Sequence, residues 1–103
     1  TKIVYYEEQP IGYYGYYEGY PNKETVWIAI FVIDQKYRKQ SHGKNLYLQV
    51  QESMKAGGYK NIAIAVHSKN INGLKFWVNL GFTEIIKVRL EKEYAVLGLN
   101  KLI

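Results

Sequence analysis

A basic turn near the middle of the chain has a composition that suits a phosphate group. Arg38, Lys39 and Lys44 lie close together in sequence, and Gly43 stands among them. If a helix starts here, its first amides lack internal acceptors and point outward beside the positive end of the helix dipole. Such amides, with cationic side chains nearby, commonly bind anions. The turn therefore predicts a phosphate-binding site.

The turn must be positioned by the elements on either side of it. Val26–Ile33 is a β-branched and aromatic run without charge, which is typical of a buried central strand. From about Asn45, apolar side chains recur at helical spacing, as expected of an amphipathic helix. These side chains are Leu46, Tyr47, Val50 and Met54. The pattern predicts a strand, a basic turn and a helix in succession.

The segment Arg38–Gly43 resembles the pattern Gln/Arg-x-x-Gly-x-Gly/Ala of the GNAT superfamily of N-acetyltransferases. Gly43 matches the second glycine, and Ser41 stands at the first. A Cβ at Ser41 limits positive φ, whereas its hydroxyl could donate to a phosphate or cap the helix. The resemblance implies that the turn holds the pyrophosphate of acetyl-coenzyme A. The binding residues implied are Arg38, Lys39, Gln40, Ser41, His42, Gly43 and Lys44.

A second GNAT signature follows in the C-terminal half. Asn70–Phe82 resembles Asn-x-x-Ala-x-x-Phe/Leu-Tyr-x-x-x-Gly-Phe, with Gly73 at the alanine and Trp77 at the tyrosine. Asn70 is predicted to cap a helix, and by resemblance it also contacts the coenzyme. The resemblance further implies that the backbone of Phe31 and Ile33 pairs with the pantetheine arm.

The general acid is the weakest part of the resemblance. The tyrosine that commonly supplies a phenol in this family corresponds to Trp77, and an indole N–H is not a proton donor at ordinary pH. Ser68, a tyrosine of the Tyr13–Tyr17 run, or water could replace it, and Trp77 would then be a packing residue. A base would have to act through water, and the candidates are Glu7, Glu18 and Glu24.

The remaining segments predict one small α/β domain over residues 1–103. A first hairpin is expected from Lys2–Glu7 and Ile11–Tyr17, joined across Glu8–Pro10. Tyr59–Val66 should form a strand parallel to Val26–Ile33, joined by a right-handed crossover. A closing hairpin is expected from Thr83–Leu90 and Tyr94–Ile103 across Glu91–Glu93. The fold class is therefore a GNAT-like mixed, partly antiparallel sheet.

The family normally begins with a strand and two helices before this first hairpin. The resemblance does not reach those elements, so we expect an N-terminally reduced or truncated GNAT-like domain. One face of its sheet would then be open, and contiguous exposed apolar surface favours association. A homodimer is expected.

Composition narrows the class of partner. The chain has no cysteine and two histidines, which predicts no disulfide and no metal site. Its net charge of +5 favours an anionic partner, either coenzyme A or RNA. Eleven tyrosines would suit base stacking, but no RNA-recognition signature is present. No apolar run reaches membrane length and no signal-peptide pattern appears, so a cytoplasmic protein without a membrane partner is expected.

The function expected from these patterns is acetyl transfer from acetyl-coenzyme A to a primary amine of an acceptor that the sequence does not identify. An alternative is a coenzyme-binding module with little or no catalysis, because Ser41 and Trp77 depart from the family pattern. A third is a basic, tyrosine-rich RNA-binding module.

Overall fold

A six-stranded sheet with two α-helices packed on one face makes up the described part of the chain. The computed structural model describes residues 2–103, except for the side chains of residues 38–40. The elements are β1 Lys2–Tyr6, β2 Gln9–Glu18, β3 Thr25–Ile33, a 3₁₀-helix Gln35–Gln40, α1 His42–Ala56, β4 Asn61–His67, α2 Ile71–Asn79, β5 Glu84–Leu90 and β6 Ala95–Leu102. The strand order is β1-β2-β3-β4-β6-β5.

Only one of the neighbouring strand pairs in the described sheet is parallel. β3 and β4 run in the same direction and are joined by α1, whereas the other neighbours are antiparallel. The closing hairpin of β5 and β6 is also present, and β6 lies between β5 and β4. The mixed, partly antiparallel sheet with a strand-helix-strand crossover is therefore confirmed.

The turn of the first hairpin is tighter than predicted. β1 ends at Tyr6 and β2 begins at Gln9, so the turn consists of Glu7 and Glu8. Both residues have positive φ, 49° and 69°, as in a type I′ hairpin turn. Pro10, which was expected in the turn, pairs with Tyr5 inside the strand. The prediction was wrong because it followed the proline, a frequent turn residue that is also tolerated beside a bulge.

The basic turn contains more regular structure than predicted. A 3₁₀-helix occupies residues 35–40, and the Asp34 side chain accepts a hydrogen bond from Lys36 N at 3.0 Å at its start. α1 then begins at His42, earlier than the predicted start near Asn45. Its first turn is polar, so apolar spacing does not reveal it. Farther along, α1 buries Tyr47, Val50 and Met54 as the spacing predicted.

The core lies between the helices and one face of the sheet. Val26 and Ile28 of β3, with Ile62 and Ile64 of β4, pack beneath buried aromatic rings that include Tyr47 and Phe82. Each fully buried side chain of this size stabilises the fold by about 1.5–3 kcal/mol. On the opposite face, alternate residues of β1, β2 and β3 are each at least 40% exposed. We call this surface the open sheet face, and its exposed members are Ile3, Tyr5, Tyr13, Tyr17 and Ile30.

Candidate functional site

β3 and β4 are paired over only part of their length. The ladder joins Thr25–Ile28 to Asn61–Ile64. Beyond it, β3 continues to Ile33 paired with β2, while β4 continues to His67 paired with β6. A β-bulge in the β2–β3 ladder lies at the end of the parallel pairing, and bulges bend the strand that carries them. The two strands therefore part at their carboxyl ends.

A cavity of about 530 Å³ lies beside this split. Three elements line it: the end of β3, the start of α1, and α2. The lining residues are Phe31, Val32, Ile33, Ser41, Gly43, Lys44, Asn70, Asn72, Gly73, Phe76 and Trp77. The N-termini of two helices thus meet at one cavity, beside the ammonium group of Lys44. Both helix dipoles present their positive ends here, so the cavity favours an anionic ligand.

Ser41 adopts the backbone conformation that a glycine would adopt at this position. Its φ is 60°, in the left-handed region, and its side chain makes no capping hydrogen bond to α1. Asn45 N donates to Ser41 O at 3.0 Å, which begins the helical bonding. The N–H groups of Gly43 and Lys44 lie before Asn45 in the first turn of α1, so they have no acceptor within the helix. The serine therefore preserves the turn, and of the two uses considered for its hydroxyl, the side-chain cap is not formed.

Gly43 of α1 lies close to Phe76 of α2, and both line the cavity. A Cβ added here would lie 3.2 Å from Phe76 Cε1 and 3.8 Å from Ile33 Cγ1. The first distance is tighter than ordinary van der Waals contact. Glycine therefore keeps both the Phe76 ring and the outward-facing amides in place.

The start of α2 is held by Asn70, as predicted. Its Oδ1 accepts a hydrogen bond from Gly73 N at 2.9 Å. A Cβ at Gly73 would lie 2.4 Å from Asn70 Nδ2, so glycine at this position makes room for the capping side chain. Asn72 also lines the cavity and was missed by the sequence reasoning. Its signal was a second asparagine in the first turn of a mostly apolar helix.

Trp77 is a packed aromatic residue that also lines the cavity. Its side chain is 8% exposed. Four aromatic rings meet the indole edge-on, with centroids between 4.9 and 5.8 Å away. These rings belong to Phe31, Tyr47, Phe76 and Phe82. Of the two roles considered for Trp77, that of a general acid and that of a packing residue, this geometry favours packing.

Sequence comparison is consistent with this geometry. A profile of the Acetyltransferase (GNAT) family matches residues 1–82. The chain belongs to the GNAT family. No curated protein sequence is significantly similar to it.

Solved acetyltransferase structures share the fold of this chain. The GNAT acetyltransferase from Elizabethkingia anophelis with acetyl-CoA bound has a TM-score of 0.84 at 20% identity, over 98% of this chain and 74% of that one. The PaiA N-acetyltransferase from Thermoplasma acidophilum in complex with coenzyme A has a TM-score of 0.78 at 20% identity, over 98% and 58%. An acetyltransferase from Thermus thermophilus has a TM-score of 0.81 at 15% identity, over 98% and 62%.

At sequence identities of 15–20%, the similarity to these structures shows the fold alone. This GNAT chain also spans only 62% of the Thermus protein and 58% of the Thermoplasma protein. Across residues 2–103 as described, no helix is long and apolar enough to cross a membrane. Within the same residues, no group of side chains has the composition of a metal site.

Among the described side chains, those of the predicted site residues Ser68 and His42 do not line the cavity of this GNAT chain. Ser68 Oγ accepts from Ala95 N at 2.9 Å, which ties it to the start of β6. His42 lies between two aromatic rings, with centroids 4.4 Å from Tyr6 and 5.7 Å from Tyr37. The side chains of Arg38, Lys39 and Gln40 lie outside the described atoms.

The three glutamates considered as general bases are not placed at the cavity. Glu18 pairs with Val26, five residues before Phe31, which is roughly 16 Å along a strand. Glu24 precedes β3 and is farther from the cavity. Glu7 lies in the hairpin turn at the same end of the sheet as Ile33. None of the three is among the cavity-lining residues.

Lys44 is the one titratable group among the side chains described as lining the cavity. Beneath Trp77, the phenol of Tyr47 is fully buried and donates to Gln51 Oε1 at 2.9 Å. Burial raises the pKa of Tyr47, so the phenol stays neutral. Lys101 Nζ donates to the same oxygen at 2.6 Å, and burial lowers the pKa of this lysine. This partly buried cluster supports the aromatic packing beneath the cavity.

Proposed function

We propose that this GNAT protein transfers the acetyl group of acetyl-coenzyme A to a primary amine. The observation that carries the proposal is the cavity at which the parted β3 strand and the N-termini of α1 and α2 meet. An elongated, phosphorylated thioester fits such a site, because its anionic end suits the helix starts and its amide-bearing arm suits the part of β3 that lies beyond the ladder with β4.

The residues have distinct proposed roles in binding. The amides of Gly43 and Lys44 donate to the pyrophosphate, and the Lys44 ammonium adds a positive charge. The backbone of β3 from Phe31 to Ile33 pairs with the pantetheine arm. Asn70 and Asn72 supply side-chain amides at the second helix start. The rest of the proposed phosphate-binding turn consists of Arg38, Lys39, Gln40, Ser41 and His42.

The chemical step is a substitution at the thioester carbonyl. The amine nitrogen bonds to the carbonyl carbon, the carbon–sulfur bond breaks, and the amine releases one proton. Backbone donors near the carbonyl would stabilise the developing oxyanion. The leaving thiol has a pKa of about 8–9, so it can depart as a thiolate without a protein acid. The amine must arrive neutral or lose its proton to water.

Coenzyme binding without turnover is a second candidate, favoured by a specific observation. Among the cavity-lining side chains that the structure describes, neither a carboxylate nor an imidazole nor a phenol is present. General acid or base help is typically worth about 10²–10⁴-fold, so its loss would leave a slow enzyme or a binding protein. Slow but measurable transfer is our expectation.

Two measurements test the proposal. Calorimetric titration with coenzyme A should show micromolar or tighter binding, which short RNA does not displace. Release of free thiol from acetyl-coenzyme A should then require an amine and form the matching amide. Binding with no thiol release across an amine panel would establish the binding module. Absence of coenzyme binding by the folded protein would refute both candidates.

We also propose an oligomeric state and a cellular location for the protein. We propose that residues 1–103 act as a single coenzyme-binding domain that pairs with a second copy through the open sheet face. The exposed Tyr5, Tyr13 and Tyr17 side chains support this pairing. A cytoplasmic location, where acetyl-coenzyme A is available, stays part of the proposal.

A further inference from the structure

A second cavity, of about 300 Å³, lies away from the acetyl-transfer site. It is bordered by the loop before β3, by β3 itself and by the far strands of the sheet. The residues that matter here are Tyr20, Trp27, Asn61, Glu84, Lys87 and Asn100. We call it the distal cavity.

Strand pairing places the distal cavity on the face opposite the helices. Trp27 pairs with Ala63, and Ala63 pairs with Asn100, so these three side chains point to one face. Their neighbours Val26 and Ile62 point to the other face, into the core. The distal cavity also lies at the start of β3, whereas the acetyl-transfer cavity begins at Phe31. The two cavities share no lining residue.

Hydrogen bonding fixes which polar atoms remain at the floor of the distal cavity. Asn100 is 7% exposed, and its Nδ2 donates to Asn61 Oδ1 and Glu84 Oε1, each at 3.0 Å. Both of its N–H groups are therefore used, and its Oδ1 remains as an acceptor. The second carboxylate oxygen of Glu84 likewise remains as an acceptor. In the described part of the chain the ion pair Arg89–Glu91 is present, but Glu84 forms none. The floor is rich in acceptors and carries a negative charge.

An aromatic corner forms another wall. The rings of Tyr20 and Trp27 meet edge-on, with centroids 5.6 Å apart. Gly19 N and Tyr20 N both donate to Thr25 O, and Thr25 Oγ1 donates to Asn22 Oδ1 at 2.8 Å. These bonds hold the loop, and hence Tyr20, against β3. The cavity thus combines this aromatic corner with the Glu84 carboxylate, which lies three strands away, and the combination suits an organic cation that carries an apolar chain.

We propose that the distal cavity binds a small organic cation, namely an alkylguanidinium. Its N–H groups donate to Glu84 and to Asn100 Oδ1, and its alkyl chain extends toward Trp27 and Tyr20. Lys87 also borders the cavity and opposes a cation, so affinity is limited by this residue. The site is separate from the acetyl-transfer cavity and does not depend on acetyl transfer.

Titration of the protein with butylguanidinium, monitored by NMR, tests the site. The Trp27 indole and Asn100 side-chain amide resonances should shift with a millimolar Kd, while the Trp77 indole resonance stays in place. Butylurea has nearly the same shape but no charge, and it should bind at least about threefold more weakly, since exposed charge pairs contribute modestly. Equal affinity for the two compounds, or shifts centred on Trp77, would overturn the proposal.

Charge variants give the matched comparison. Glu84→Gln keeps an acceptor for Asn100 and should remove the preference for butylguanidinium over butylurea. Lys87→Gln should tighten butylguanidinium binding about twofold or more, because it removes a like charge. Glu93→Gln, in the turn between β5 and β6, makes the same charge change away from the cavity and should alter nothing. An equal effect of Glu84→Gln and Glu93→Gln would show that only net charge matters and would refute the site. Trp77 resonances report that each variant is folded.

Discussion

Replacing Trp77 by phenylalanine and, separately, by tyrosine distinguishes packing from acid catalysis. The two variants lose the same part of the indole and differ from each other by one hydroxyl group. Trp77 contacts four aromatic rings and is 8% exposed, so both variants should be destabilised. We expect neither to turn over acetyl-coenzyme A faster than the wild type.

The expected loss of stability can be worked from volume. The indole exceeds a phenyl ring by roughly 35 Å³, and at about 24 cal/mol per Å³ the residual cavity costs about 1 kcal/mol. The lost apolar transfer adds about 1 kcal/mol. Trp77→Phe should therefore lower the free energy of unfolding by about 2 kcal/mol, or Tm by about 10 °C for a domain of this size. Trp77→Tyr should lose about 1–3 kcal/mol more if its hydroxyl is buried without a partner.

Urea unfolding and thiol-release assays give the two readouts. Trp27→Phe, on the open sheet face, is the matched control and should cost less stability and leave turnover unchanged. If the position belongs to a general acid, Trp77→Tyr should exceed Trp77→Phe in turnover by about 10²–10⁴-fold. Such a gap, with stability near that of the wild type, would refute the packing interpretation.

Three further predictions concern binding, alkaline stability and assembly. Gly43→Val should abolish coenzyme A binding in calorimetry, and adding Phe76→Leu to relieve the ring contact should not restore it; restored binding would mean that Gly43 serves only packing. Because burial raises the folded pKa of Tyr47, the stability from its neutral phenol is present below about pH 10 and is lost above it, by up to about 1.4 kcal/mol per pH unit. Urea unfolding at pH 7, 10 and 11 should show that Tyr47→Phe costs about 1 kcal/mol at neutral pH and flattens the alkaline decline; an unchanged slope would contradict the assignment. Sedimentation at tens of micromolar should show a dimer that Tyr17→Lys on the open sheet face dissociates, whereas a wild-type monomer would argue against pairing.

Local signals in the sequence predicted much of the fold. The Asn70 cap of α2 and the spacing of Tyr47, Val50 and Met54 in α1 are set by neighbouring residues, and the structure confirms them. The left-handed Ser41 was not predictable, because serine has no strong preference for that conformation. Surrounding contacts must hold it there.

Long-range pairing was harder to predict than helix ends. The position of β6 beside β4 brings Asn100 next to Asn61, 39 residues earlier in the chain, and no local pattern encodes such a contact. The end of the β3–β4 ladder at Ile28 likewise follows from a bulge shared with β2. Asn70 and Trp77 of the second signature both line the cavity, and so does Asn72, to which the signature assigns no role.

The short ladder between β3 and β4 divides the sheet into two three-stranded wings. One wing is β1-β2-β3, the other is β4-β6-β5, and only four residue pairs connect them directly. Parallel pairs are slightly less stable than antiparallel ones, so separation of the wings should need less free energy than unfolding either of them. Amide hydrogens at this seam should then exchange with solvent faster than those within each wing. A ligand that lies along the seam and contacts both wings would slow that exchange. Its binding would therefore be detected as slower hydrogen exchange between the wings.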